Sequence, residues 1–146
     1  MKRIFIFIVC TFVLLLSGCS RDYYFEFEEL SKNVHTIEII KFEEYDGKLY
    51  PDKDKSYELL KILTGEEKDI FLQTLSEIKY EILYGSPHYS PKDICLKLLY
   101  EDGSYAYINQ NTFLHFNKEG TNYISSKNIR TRQQEFNELI KKYINK

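Results

Sequence analysis

The alternation of apolar and polar residues predicts a run of short strands before the first helix. The first clear strand is predicted over His35–Tyr45. Its apolar residues occupy both parities of the strand: Ile37, Ile39, Ile40 and Phe42. Because successive side chains of a strand point to opposite faces, this segment is either buried on both faces or bulged midway. Asp46-Gly47 then predicts a hairpin turn, and a second strand follows over Tyr57–Leu63.

Two segments carry the apolar spacing of helices. The first is predicted to begin at Thr64, because Thr64 and Glu67 have the spacing of a capping box. Its inward stripe is predicted to contain Ile70, Phe71, Thr74, Leu75 and Ile78. In the last helix Thr131 and Gln134 have the same capping-box spacing. Its apolar residues follow the i, i+3, i+4, i+7, i+8 pattern of one face: Phe136, Leu139, Ile140, Tyr143 and Ile144.

The chain between the helices is typical of an antiparallel meander. A short extended piece is predicted over Tyr80–Tyr84, followed by a turn at Gly85-Ser86-Pro87. Four further strands are predicted over Asp93–Tyr100, Ser104–Asn109, Thr112–Asn117 and Asn122–Ser126. The order β-β-α-β-meander-α predicts a single α+β domain over residues 34–146. In this fold class an antiparallel sheet carries both helices on one face.

The residues before this domain have the organisation of an export signal. Lys2 and Arg3 precede an apolar run of 13 residues from Ile4 to Leu16. At about 1.5 Å per residue a helix of this length spans about 20 Å, which is shorter than the roughly 30 Å hydrocarbon core of a bilayer. A basic head and a short apolar core followed by small residues are typical of a signal peptide and not of a lasting membrane span.

The four residues Leu16-Ser17-Gly18-Cys19 resemble the lipobox of bacterial lipoproteins. In that family the cysteine thiol receives a diacylglycerol thioether, and a peptidase cleaves immediately before it. The resemblance implies lipidation of Cys19 and cleavage between Gly18 and Cys19. It covers residues 1–19 alone, so residues 1–18 are expected to be a cleaved signal peptide. Residues 19–33 are expected to be a lipidated, membrane-proximal tether, whose aromatic residues fit either a short strand or one helical face.

Composition and charge narrow the function further. The chain has 146 residues, a net charge of -2 and a pI near 6.0, which fit one domain and do not fit a nucleic-acid binder. Loss of Lys2 and Arg3 with the signal makes the net charge -4. Negative charge does not favour binding to anionic lipid, so the acyl chains on Cys19 are expected to provide membrane attachment. Since Cys10 leaves with the signal, Cys95 is left without an intramolecular disulfide partner.

Three sets of residues carry side chains that could bind a metal ion or act in catalysis. Asp52, Asp54 and Ser56 begin like a calcium loop, but Tyr57 and Leu63 occupy the positions that need Gly and Glu. The histidines share no ligand spacing, so neither a metal site nor a cofactor besides the covalent lipid is predicted; they are His35, His88 and His115. Cys95 is expected to be a half-buried structural thiol, since it lies mid-strand and not at a helix N-terminus. No catalytic residue is therefore assigned.

The sequence favours a non-enzymatic binding or interaction module at the outer face of the cell membrane. The candidate binding loop presents His88 and Tyr89 between two prolines. A sheet face with Tyr105, Tyr107, Phe113 and His115 is either an aromatic recognition surface or core beneath a helix. An envelope protein is a possible partner, and oligomeric state is left open. The alternatives are a small envelope-acting hydrolase, using Cys95, His88 or acidic residues, and a ligand-binding lipoprotein.

Overall fold

A computed structural model describes residues 22–23, 32–42, 57–82, 94–120, 123–131 and 133–145. The first strands are β1 (Asp22–Tyr23), β2 (Val34–Phe42) and β3 (Tyr57–Leu63), and helix α1 (Gly65–Glu77) follows. The strands after α1 are β4 (Tyr80–Ile82), β5 (Ile94–Tyr100), β6 (Tyr105–Ile108), β7 (Thr112–Phe116) and β8 (Tyr123–Thr131). The last described element is helix α2 (Gln133–Ile144). The α+β architecture expected from the sequence is confirmed.

The eight described strands form one antiparallel sheet in the order β1-β4-β8-β7-β6-β5-β2-β3. The meander β5-β6-β7-β8 lies at its centre, and β8 extends to Thr131 instead of ending near Ser126. Strand β1 was predicted as part of a tether, but it pairs with β4, opposite Tyr80 and Glu81. Strand β3 therefore lies at one end of the sheet and β1 at the other.

Both helices pack on the same face of the sheet, as the sequence predicts. This helix-covered face is defined by its buried strand residues Ile37, Ile39, Leu63, Tyr80, Leu96, Leu98, Ala106, Ile108, Phe113 and Ile129. The helices contribute Phe71, Leu72, Leu75, Phe136, Leu139, Ile140 and Tyr143 to the same cluster. The rings of Phe71 and Tyr143 meet edge to face at 4.9 Å, which joins α1 to α2. Burial of this apolar surface is the main source of the fold's stability.

The first turn of α1 differs from the prediction. Thr64 is the N-cap residue, but its side chain makes no capping hydrogen bond, so the predicted box with Glu67 is wrong. Gly65, the first residue of the helix, has a φ of +54°, and this left-handed conformation turns the backbone directly after the N-cap. The inward stripe is also rotated: Leu72 is buried, whereas Ile70 is 49% exposed.

Helix α2 has the predicted apolar face, with Phe136, Leu139, Ile140 and Tyr143 buried. Thr131 is the last residue of β8 and Gln133 is the first of the helix, and the residue between them, at the predicted capping box of Thr131 and Gln134, lies outside the described residues. The Gln134 amide donates a hydrogen bond to Glu138 at 2.9 Å, one turn along the helix. Lys141 and Lys142 occupy the last turn, where positive charge complements the helix dipole.

Strand β2 is buried on both faces, which decides between the two alternatives for its apolar pattern. Ile37 and Ile39 lie on the helix-covered face, whereas Ile40 and Phe42 lie on the other. The register with β3 shifts between Ile39 and Ile40, and the additional residue is on β3. A second shift places the exposed His35 as an additional residue of β2 against β5.

Among the described residues, no helix is long and apolar enough to cross a bilayer.

Candidate functional site

The face of the sheet opposite the helices carries a compact aromatic cluster. This aromatic face is defined by Ile40, Phe42, Cys95, Tyr105, Tyr107, Leu114 and Phe116, all of them buried. The proposed grouping of Tyr105 and Tyr107 with Phe113 and His115 is wrong. The register pairs Tyr107 with Leu114 and Ala106 with His115, so the tyrosines share a face with Leu114 and Phe116. Phe113 instead lies in the cluster beneath the helices.

The rings of the aromatic face pack against one another. Tyr105 stacks on Phe116 with centroids 5.2 Å apart, and Tyr107 meets Tyr105, Phe116 and Phe42 edge to face at 5.5, 6.0 and 5.5 Å. Burial raises the pKa of Tyr107 far above its usual 10.0, and the nearby Cys95 and Tyr105 add to the shift. The surroundings of Tyr107 are therefore poorly hydrated.

A charge cluster, defined by Glu38, Lys97 and Tyr57, lies beside these rings. Glu38 and Lys97 are directly opposite in the register of β2 and β5, and Lys97 Nζ is 3.6 Å from Glu38 Oε2. Lys97 Nζ donates to Tyr57 Oη at 3.0 Å, and Tyr57 Oη donates to Glu38 Oε2 at 3.0 Å. Lys97 Nζ is also 4.8 Å from the centroid of the Tyr57 ring, within the range of a cation–π contact. The three side chains thus satisfy one another in a closed triangle.

Exposure increases across this face toward β3. In one row of register partners, Tyr107 is 3% exposed, the side chains of Lys97 and Glu38 are 15% and 17% exposed, and Ile62 on β3 is 48% exposed. Leu59, which is opposite Ile40, is 46% exposed. Among the described strands, β3 pairs with β2 alone. The β3 edge therefore combines exposed apolar side chains with the backbone of an outermost strand.

A second polar group holds the turn between β5 and β6. Ser104 Oγ is 3.1 Å from His115 Nε2, and the Ser104 amide donates to Asp102 Oδ1 at 2.8 Å. Hydrogen bonds from the Ser104 hydroxyl and amide lower the pKa of Asp102, with a smaller effect from His115. The His115 ring stacks on Tyr100 at 4.7 Å.

The order of these contacts is not that of a hydrolytic triad. The carboxylate accepts from the serine and not from the imidazole, and Ser104 is only 4% exposed. In a triad the nucleophile must be accessible, with the acid orienting the histidine. The geometry of Asp102, Ser104 and His115 therefore fits the bracing of a tight turn.

Cys95 is 3% exposed and therefore more deeply buried than the half-buried thiol predicted from the sequence. Its Sγ is 3.4 Å from the Ile108 carbonyl oxygen, to which the thiol donates. Cys95 belongs to the aromatic face, whereas His115 is the neighbour of Phe113 and Tyr100 on the other side of the sheet. The structure does not bring these two residues together.

Several of the predicted site residues lie outside the described residues. They are Gly18, Cys19, Asp52, Asp54, Ser56, His88 and Tyr89. Within the described parts of the chain, no group of three or more His, Cys, Asp or Glu side chains could hold a metal ion.

The charge cluster and the β3 edge were not identified from the sequence. The sequence feature that could have indicated the charge cluster is a single charged residue within an otherwise apolar strand. Glu38 occurs in this way in Ile-Glu-Ile-Ile, and Lys97 in Leu-Lys-Leu-Leu. Two such residues of opposite sign are candidates for a cross-strand pair. Their register could not be read from the chain, because β2 and β5 are far apart in sequence.

Comparisons of the chain with protein-family models, with curated proteins and with solved structures find no match.

Proposed function

We propose that this protein is a lipoprotein anchored through Cys19 to the outer face of a membrane, where it acts as a binding module. Its partner is an extended segment of another envelope protein, which adds to the sheet along β3. The anchor is supported by the order of basic head, short apolar run and Leu16-Ser17-Gly18-Cys19. Acyl chains at about 0.8 kcal/mol per buried CH₂ give lasting attachment without help from protein charge.

The exposure of Leu59 and Ile62 on an outermost strand is the observation that supports binding at the β3 edge. An outermost strand offers unpaired backbone donors and acceptors as a template for another strand. Apolar pockets beside it select alternate side chains of the added segment. Glu38 lies one strand further in, on β2 opposite Ile62, and its ion pair with Lys97 leaves the apolar side chains of β3 as the exposed part of this row.

The described cysteine and the Asp102–Ser104–His115 group have structural partners in this fold. The Cys95 thiol donates to a carbonyl within the sheet, and Ser104 joins His115 to the Asp102 turn. These contacts support the binding hypothesis over the alternative of an envelope hydrolase.

The anchor is tested by membrane fractionation of cells that produce the wild type or Cys19→Ala. We expect the wild type in the membrane fraction, and unprocessed or released protein for the variant. Equal membrane retention of a cleaved Cys19→Ala protein would contradict the proposed anchor.

The binding surface is tested by placing a photo-crosslinking residue at position 62 or 70 in living cells. Ile62 and Ile70 have nearly equal exposure, 48% and 49%, but Ile70 lies on α1. We expect one discrete partner crosslinked from position 62, absent from position 70 and lost when Leu59→Lys is added. Crosslinking from position 70 alone, or a product of twice the protein's own mass, would contradict the proposed partner.

A further inference from the structure

The pairing of β1 with β4 limits how far the sheet can lie from the proposed lipid anchor. Cys19 precedes Asp22 by three residues, and Asp22 is the register partner of Glu81. A fully extended chain spans at most about 3.6 Å per residue, so Asp22 lies within about 11 Å of the lipidated residue. This is much shorter than the reach of a typical flexible tether.

We infer that the sheet stands on the membrane by its β1–β4 edge and presents the β3 edge away from the bilayer. The inference rests on the lipidation of Cys19 that we propose above. It assigns a second contact surface, the β1–β4 edge, whose partner is the headgroup layer around the anchor. Ile82, one residue beyond Glu81 on β4, is 36% exposed and supplies an apolar side chain at this edge.

The width of the sheet separates the two edges. Strands β1 and β3 are the first and last of eight, and seven spacings of about 4.8 Å place them about 34 Å apart along the sheet. In an upright sheet held to the membrane by β1, a position on β3 is thus the most distant from the headgroups among the described strands.

The described charges and burial disfavour an alternative in which the domain lies flat. Exposed acidic residues outnumber exposed basic ones on the two helices: Glu66, Asp69, Glu77, Glu135 and Glu138 against Lys141 and Lys142. Anionic lipid repels such a surface, whose excess of three exposed acidic residues exceeds the single exposed Glu81 of β4. On the opposite face of the sheet, the rings of Tyr105, Tyr107 and Phe116 are buried and are therefore not accessible for insertion into a membrane.

Glu81 and Glu58 provide a matched pair of label positions, because both are exposed glutamates on strands. Glu81 is on β4, near the proposed membrane contact, and Glu58 is on β3. Glu81→Cys and Glu58→Cys are made in full-length protein, which is processed and lipidated in bacteria, purified and labelled with one fluorophore. The protein without an added cysteine controls for labelling of the buried Cys95. Ile82→Cys is a second proximal position in case a label at 81 disturbs β1.

The labelled proteins are incorporated into phosphatidylcholine–phosphatidylglycerol vesicles that contain a lipid with a nitroxide on its headgroup. We expect quenching at positions 81 and 82 to be about threefold or more stronger than at 58, given a separation of several strand spacings. Equal quenching at all three positions, or stronger quenching at 58, would overturn the orientation.

Vesicle flotation and the mass of the intact protein distinguish failure of the proposed orientation from failure of the proposed lipid anchor. Protein that carries lipid and floats, but shows no difference between positions 81 and 58, contradicts the orientation while leaving the anchor standing. Protein that carries no lipid on Cys19 and does not float contradicts the anchor, and the orientation with it.

Discussion

The two faces of the sheet are both buried, but by different kinds of residue. The helix-covered face is aliphatic and aromatic throughout, and two amphipathic helices pack on it. The aromatic face combines packed rings with the Glu38–Lys97–Tyr57 charge cluster. Apolar packing tolerates many sequences, whereas a half-buried ion pair needs its partners in register. The difference indicates that the helix-covered face depends on apolar volume, whereas the aromatic face depends also on the register that places Glu38 opposite Lys97.

The largest expected effect is loss of a ring beneath the helices. Phe71→Ala removes a fully buried side chain that contacts Tyr143, and we expect it to lower the free energy of unfolding by about 3–5 kcal/mol. Denaturant unfolding followed by circular dichroism measures this. Ile70→Ala, one position away and half exposed, should change stability by less than about 0.5 kcal/mol. Similar costs for the two variants would contradict the observed rotation of α1.

The charge cluster should show energetic coupling between its two charged partners, Glu38 and Lys97. Lys97→Met leaves Glu38 without its cation, and we expect a loss of about 2 kcal/mol, moderated because both side chains retain some solvent contact. Glu38→Leu combined with Lys97→Met should recover much of this loss. A double-mutant cycle measures the coupling free energy, and additive changes in the free energy of unfolding would show that Glu38 and Lys97 do not stabilise each other.

Alkaline titration of buried tyrosines compares how well the two faces of the sheet exclude water. Burial raises the pKa of Tyr80 on the helix-covered face and of Tyr107 on the aromatic face. A raised pKa in the folded state gives stability that is present below the unfolded value of 10.0 and is lost as pH rises above it. We expect both phenols to ionise only as the protein unfolds, measured by ultraviolet absorbance.

Tyr107→Phe identifies the contribution of the aromatic face to that titration. It should remove one late-ionising phenol and leave the rest of the absorbance titration unchanged. If Tyr107 instead ionises near its usual value of 10.0 while the protein is folded, the aromatic face is hydrated and this prediction is contradicted.

The smallest expected effect concerns the β5–β6 turn at the end of the sheet. The pKa of Asp102 is lowered by the Ser104 hydroxyl and amide, so its stabilising effect is present above the usual value of 3.8 and is lost as pH falls below it. Asp102→Asn should reduce the pH dependence of unfolding in this acidic range. An unchanged dependence would show that the turn does not use the carboxylate charge.

The sequence allowed prediction of those helices and strands whose apolar residues recur with the period of the element and are buried on one face. Helix α2 is the clearest case, since Phe136, Leu139, Ile140 and Tyr143 are all buried as their spacing indicates. The β3 strand was also predicted with its observed limits. These features depend on local periodicity, which a single chain records directly.

The remaining features depend on tertiary packing. On α1 the buried face includes Leu72 and leaves out Ile70, because the face that packs is set by the sheet and by α2 and not by the helical spacing alone. The grouping of Tyr105 with His115 failed because the parity of β6 relative to β7 depends on the register, which local patterns do not determine. The Glu38–Lys97 pair has the same origin, since its two residues belong to distant strands that meet only in the sheet.

Metabolic labelling with an alkyne fatty acid tests the central claim, the lipid anchor on Cys19, most directly. Wild type, Cys19→Ala and Cys95→Ala are compared after conjugation to a reporter dye, with Cys95→Ala as the control for loss of a cysteine. We predict label on the wild type and on Cys95→Ala, and its loss from Cys19→Ala. Label that persists on Cys19→Ala, or is absent from the wild type, would contradict the anchor and the membrane orientation inferred from it.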